Sequence, residues 1–171
     1  MRWQTHLAAG AAAAGLICHA MDTTGIRCCC VILGAAVGSL LPDIDTSESK
    51  ISNSSNTASC ISVLLEDGFG HRGLVHTPFF MVLLAGAFGL WYLEHISDGW
   101  GIGILLLGIG TLTGFALHLL LDMLTPYGIM LMYPFSRKRI SIESKYRGRL
   151  GESHLFSLLY LFDILLYVVL C

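Results

Sequence analysis

Histidine and aspartate recur in four short motifs of this chain, and both residue types bind divalent metal ions in proteins. The motifs are Thr5–His6, Pro42–Asp45, His71–Pro78 and His118–Asp122. In the last motif His118 and Asp122 are four residues apart, so a helix would place both side chains on one face. The candidate metal ligands are His6, Asp43, Asp45, His71, His76, His118 and Asp122. These residues predict a site for one or two divalent ions, and their types suit zinc, manganese and iron about equally.

Metal-assisted hydrolysis is the chemistry that we expect from such a site. A divalent cation lowers the pKa of bound water towards neutrality and polarises the electrophile. Asp45 or Asp122 would act as the general base if the metal does not fully occupy its carboxylate. Arg72 would contact an anionic leaving group. Because the candidates outnumber the ligands of a mononuclear zinc site, the others would hold a second ion, orient the ligands or move protons.

Each motif also has an ordinary structural interpretation. The carboxylates of Pro42–Asp45 would be turn formers, the His118–Asp122 pair a structural hydrogen bond, and His6 an interfacial polar residue. His71 and His76 would be a loop residue and a cap residue. These interpretations weaken when the motifs are taken together, because an ionisable group deep in a bilayer costs roughly 2.5–3.5 kcal/mol and usually marks function.

The composition indicates where this site would lie. The chain has 171 residues, of which 54% are hydrophobic and 13% charged, and its mean hydropathy is +0.69. Soluble domains carry about a quarter charged residues, so we predict an integral membrane protein with a single domain over residues 1–171. The balance of 10 Lys and Arg against 12 Asp and Glu excludes a nucleic-acid binder.

The apolar stretches predict an all-α bundle that crosses the membrane about five times. A spanning helix needs about 20 mostly apolar residues, and several stretches approach or exceed that length. They are Trp3–Met21, Cys28–Pro42, Gly73–Leu93, Gly99–Leu121 and the terminal segment from Ser153, which contains Asp163 as its one charged residue. Four spans would remain if the first were re-entrant or cleaved as a signal peptide. Small residues in Gly34–Gly38 and Gly110–Gly114 predict close helix packing.

Residues 46–70 separate the second and third stretches. Their first half is rich in Ser and Asn and is typical of a flexible loop, which we expect on the cytoplasmic side. Within the second half, Cys60–Leu65 is predicted to form a short interfacial helix.

The basic residues predict the orientation of the bundle. If the N-terminus is cytoplasmic, only Arg27 of the ten Lys and Arg residues lies on the opposite side. All four His and Asp motifs then lie at the cytoplasmic ends of the helices. The orientation is derived from Lys and Arg alone, so the placement of these motifs on one side is an independent result. We therefore expect membrane lipids as partners, a lipid or lipid-linked phosphoester as substrate, and a location in the inner or plasma membrane. The oligomeric state is not predicted.

The motifs also resemble those of a known family. The chain is similar to the YdjM-like family of inner-membrane, metal-dependent hydrolases. The resemblance is carried in order by Thr5–His6, Leu40–Asp45, His71–Thr77, His118–Asp122, Leu124–Gly128 and Tyr133–Arg137. It implies a helical membrane fold and a hydrolase activity that depends on a metal, and it implies no particular substrate.

Two other classes of function remain open from the sequence. In a non-catalytic membrane protein, a metal would tie the helix ends together, and protein ligands would fill every coordination position. In a metal or proton transporter, the coupling residues would lie near the middle of the membrane.

Overall fold

A computed structural model describes residues 3–45, 52–69, 73–142 and 157–163. Five α-helices lie in this part of the chain: α1 (Trp3–Ala20), α2 (Ile26–Leu40), α3 (Asn56–Phe69), α4 (Pro78–Glu94) and α5 (Gly101–Met123). Residues 157–163 are also helical. The described residues form no strand beyond an isolated antiparallel bridge between Ile129 and Ile140. This confirms the predicted all-α class.

Two helical segments are long and apolar enough to cross a membrane, Ile26–Asp45 and Gly101–Met123, and α4 is a shorter apolar helix of 17 residues. The predicted bundle of about five spans is therefore not confirmed. Helix α1 is less apolar than the two long segments because Ala and Gly make up much of it and it carries Gln4, His6 and His19. Of the predicted last span, the structure describes only residues 157–163.

The segment between α2 and α4 is more helical than the sequence predicts. Helix α3 covers Asn56–Phe69 and so includes Cys60–Leu65, for which we predicted a short helix. Residues 46–51 and residue 70 lie outside the described part of the chain. The cytoplasmic and interfacial placement of this segment stays a prediction.

Helices α2 and α5 form the most extensive contact in the fold, and α1 packs against both. Glycines make this contact close. A Cβ atom on Gly38 would collide with the carbonyl oxygen of Thr111, and one on Gly114 with that of Ala35. The backbones of α2 and α5 therefore touch directly, as the small residues in both segments predicted.

The start of α4 fixes the position of His76. Thr77 caps the helix, since its Oγ1 accepts a hydrogen bond from the backbone N–H of Phe80 at 3.2 Å, and Pro78 follows in the first turn. The Thr77 hydroxyl donates in turn to the Leu74 carbonyl at 2.6 Å. The short turn Leu74–His76 is thereby tied to α4, and His76 is fully buried.

Candidate metal centre

The structure brings six of the predicted site residues together where α1, α2, α4 and α5 end or begin. They are His6, Asp43, Asp45, His76, His118 and Asp122. Five of the six side chains are at most 1% exposed, and Asp43 is 22% exposed. The remaining two predicted site residues, His71 and Arg72, lie outside the described residues.

The Nε2 atoms of two histidines lie within 3.9 Å of the same two carboxylate oxygens. The Nε2 atoms of His76 and His118 are 3.3 Å apart. Asp43 Oδ1 lies 3.9 Å from the first and 3.6 Å from the second, and Asp122 Oδ2 lies 3.6 Å from both. Four ligands bound tetrahedrally at about 2.0–2.2 Å from a metal would be about 3.3–3.6 Å apart. Four of these five separations lie in that range, and the distance from Asp43 Oδ1 to His76 Nε2, 3.9 Å, is slightly longer. The atoms therefore have the spacing of ligands that share a metal ion.

The hydrogen bonds of the two imidazoles favour the same conclusion. His118 Nδ1 is 2.7 Å from the Ser39 carbonyl oxygen, which can only accept, so this nitrogen carries the proton. His76 Nδ1 is 3.0 Å from the Asp45 carboxylate. In neutral rings both Nε2 atoms are then acceptors, and their lone pairs face each other and two carboxylates. A cation between these four atoms would remove their mutual repulsion.

Asp45 lies on the outer side of His76 instead of among the four inward-facing atoms. Its Oδ2 also accepts from the backbone N–H of Gly73 at 3.0 Å. A carboxylate behind a metal-binding histidine fixes the tautomer and orientation of the ring. This placement suits a positioning role for Asp45. The sequence made it a candidate ligand and general base, and those roles stay predictions.

His6 approaches the cluster from α1. Its ring stacks on that of His118 with the centroids 3.8 Å apart, and its Nε2 lies 3.6 Å from Asp122 Oδ1. Its Nδ1 is buried without a hydrogen-bond partner among the described residues. His6, His118 and Asp122 thus form a second group of three that could hold a metal, next to Asp43, His76 and His118. Because the two Asp122 oxygens face different histidines, this carboxylate could bridge two ions.

The sequence of the chain matches a known protein family over almost its whole length. A protein-family model described as YdjM inner membrane protein matches residues 1–169. The chain belongs to the YdjM family. It is 31% identical to the inner membrane protein YdjM of Escherichia coli (strain K12) and to that of Shigella flexneri. Each match covers 135 residues, which are 78% of this chain. The chain spans 65% of the length of these two curated relatives. No solved structure matches it.

Membership of the YdjM family confirms the predicted resemblance and the membrane location. The apolar segments Ile26–Asp45 and Gly101–Met123 agree with that location. The cytoplasmic placement of the N-terminus and of the cluster stays a prediction.

Sequence reasoning missed the backbone groups that hold this cluster of the YdjM-family chain in place. The carbonyl of Ser39 orients His118, and the N–H of Gly73 orients Asp45. Ser39 is itself fully buried, and its hydroxyl donates to the Ala36 carbonyl at 2.9 Å. No residue type signals a backbone contact, because every residue has a carbonyl group.

Replacing Asp45 by asparagine is expected to weaken metal binding by about 10–100-fold, which is the usual effect of losing a carboxylate behind a histidine ligand. An amide at this position carries no charge to hold the His76 Nδ1 proton. Competition against a chromophoric chelator measures the affinity. Asp67→Asn, at an exposed position of α3, is the matched control. Equal metal affinities of Asp45→Asn and Asp67→Asn would contradict a positioning role for Asp45.

Proposed function

We propose that this chain is a membrane-bound, metal-dependent hydrolase whose metal ligands are His76, His118, Asp43 and Asp122. The observation that carries the proposal is that the Nε2 atoms of His76 and His118 face each other and the same two carboxylates, while the Nδ1 atoms of both rings are hydrogen-bonded on the outer side. Two nitrogens and two oxygens at this spacing favour zinc over manganese or iron, which more often take higher coordination numbers.

The reaction that we propose uses the accessible side of the centre. A divalent cation bound there would lower the pKa of a water towards neutrality and polarise the ester. Asp43 is the most exposed of the four proposed ligands, at 22%, so water and substrate would approach beside it. Its carboxylate would accept the proton of the attacking water and return it to the leaving oxygen. Asp43 suits this role better than Asp45, which is held by His76 and Gly73.

The substrate that we propose is a lipid or a lipid-linked phosphoester. The centre lies at the ends of apolar helices in a family of inner membrane proteins, where lipid headgroups are the available esters. Arg72 follows directly in the chain after His71 and remains our candidate for contact with an anionic group.

Hydrolysis of model esters by the purified full-length chain tests this proposal. A phosphomonoester, a phosphodiester and an acyl ester of p-nitrophenol are assayed with zinc and with a chelator. We expect hydrolysis of at least one ester that the chelator abolishes and zinc restores, and a loss of at least about 100-fold in His76→Ala. Equal background rates for wild type, His76→Ala and Asp43→Ala would contradict the proposal.

A structural metal is the second candidate function, and one observation favours it. Four protein atoms are available as ligands, as in structural zinc sites, whereas catalytic sites keep a position for water. Asp43→Ala separates the two functions. In a hydrolase this variant keeps the metal on three ligands and loses hydrolysis, whereas a structural role predicts a lower melting temperature and no hydrolysis by any variant. The transport alternative stays a prediction.

A further inference from the structure

An apolar cavity of about 460 Å³ lies between α1, α5 and helical residues 157–163. Among the described residues, every side chain that lines it is aliphatic, aromatic or methionine. On α1 the wall consists of Ala9, Ala12, Ala13 and Leu16, and on α5 it consists mainly of leucines such as Leu117 and Leu120. Binding sites for small molecules have volumes of about 300–1,000 Å³, so the cavity has the size of a ligand site.

The alanines of α1 are the reason that this space exists. Ala9 and Ala12 are each 6% exposed, and Ala13 is half-buried, so a methyl group is all that α1 offers at three positions facing the cavity. A leucine in place of these residues would extend into the space. The cavity is therefore a property of the sequence of α1.

The cavity lies beside the proposed metal centre. Ala9 follows His6 by three residues, which is about one turn of α1. Leu121 and Met123, which also line the cavity, flank Asp122 on α5. The same two helices thus supply residues to the centre at their ends and to the cavity along their length.

We propose that this cavity holds an acyl chain of the substrate, so that the substrate class is a long-chain acyl lipid with its headgroup at the metal centre. This inference rests on the proposed hydrolase function. The described side chains of the cavity offer no hydrogen bond to a soluble phosphate ester, whereas a hydrocarbon chain matches their apolar character. An acyl chain that enters the cavity moves from the bilayer into an equally apolar space, so the transfer itself adds little binding free energy. The cavity therefore acts mainly by orienting the headgroup towards Asp43 and Asp122.

Photolabelling of the full-length chain in lipid nanodiscs tests the inference. The discs contain phosphatidylethanolamine and phosphatidylglycerol with a trace of phosphatidic acid that carries a diazirine at the end of one acyl chain. We expect the label to concentrate on α1 and α5 peptides that contain Ala9–Leu16 and Leu117–Leu124. Filling the cavity by Ala13→Trp should reduce that labelling at least about five-fold, which corresponds to about 1 kcal/mol of binding.

Val82→Trp is the matched control, because Val82 is 65% exposed on α4 and does not line the cavity. We expect it to leave the labelling of α1 and α5 unchanged. If Ala13→Trp fails to fold, Ala13→Leu fills part of the same space. Labelling spread over all lipid-facing helices, or labelling that Ala13→Trp leaves unchanged, would mean annular lipid only and would overturn the inference.

Metal content and hydrolysis separate this inference from the proposed function. Ala13→Trp should keep its metal and hydrolyse a short-chain p-nitrophenyl ester at the wild-type rate, while it loses hydrolysis of the long-chain lipid. If the wild type hydrolyses esters but the label does not concentrate at the cavity, the function stands and the acyl site is wrong. If the label concentrates there but no ester is hydrolysed, lipid binding stands, and both the hydrolase function and the assignment of that lipid as substrate are wrong.

Discussion

Replacing His118 by alanine is expected to abolish stoichiometric metal binding and, with it, all hydrolysis. His118 is fully buried and belongs to both groups of three residues that could hold a metal. Its loss removes one of the four proposed ligands and the ring on which His6 stacks. Since the loss of an outer carboxylate already costs about 10–100-fold in metal affinity, we expect the loss of this ligand to cost more than about 100-fold.

Elemental analysis after dialysis, together with thermal unfolding in detergent, measures this effect. We expect wild type to contain metal and to lose thermal stability when a chelator is added, and His118→Ala to contain none and to be insensitive to the chelator. The control is His19→Ala, an exposed histidine near the opposite end of α1, about 20 Å along the helix from His6. If His118→Ala contained as much metal as wild type, His118 would not be a metal ligand.

Replacing Gly38 by alanine is expected to destabilise the fold by about 1–3 kcal/mol or more, which is the usual cost of overpacking a core. The added methyl group would collide with the carbonyl oxygen of Thr111, and backbone atoms cannot move aside as a side chain can. Helices α2 and α5 would have to separate. Because Asp43 follows α2 and His118 lies on α5, the metal affinity should fall as well.

Gly86→Ala is the matched control, since a Cβ atom at this position of α4 has no atom within 4 Å. Alanine is the better helix former, so this variant should be as stable as wild type or slightly more stable. The comparison is made by denaturant unfolding in the same detergent. Equal stability of the two variants would show that α2 and α5 do not touch along their backbones.

Much of the centre could be predicted because its chemistry depends on residue types in recognisable spacings. The pair His118 and Asp122, four residues apart, shares one face of α5 as expected. Thr77 and Pro78 begin α4, as these residue types favour at a helix start, and this places His76. Glycines spaced four residues apart in α2 and α5 predicted the close packing of the two helices.

The roles of the two carboxylates in Leu41–Asp45 could not be predicted. Asp43 and Asp45 are two residues apart in a tight turn, and the three-dimensional path of that turn decides which one faces the centre. In the structure Asp43 faces the Nε2 atoms and Asp45 faces the far side of His76. The sequence motif names both residues but does not show the direction in which each side chain points.

The number of membrane spans is the other point at which the sequence was insufficient. An absence of charged residues suggested a span for Trp3–Met21, yet α1 consists largely of alanine and glycine, which are only weakly apolar. Its alanines have a different consequence, since they pack closely against neighbouring helices and leave the cavity beside α5.

X-ray absorption spectroscopy of the full-length protein, purified without chelator, tests the metal centre most directly. We predict a bound zinc ion with two imidazole nitrogens and two carboxylate oxygens at about 2.0–2.2 Å, and a loss of imidazole scattering in His76→Ala. A protein that contains no metal under these conditions, or a metal whose ligands include no imidazole, would contradict the account.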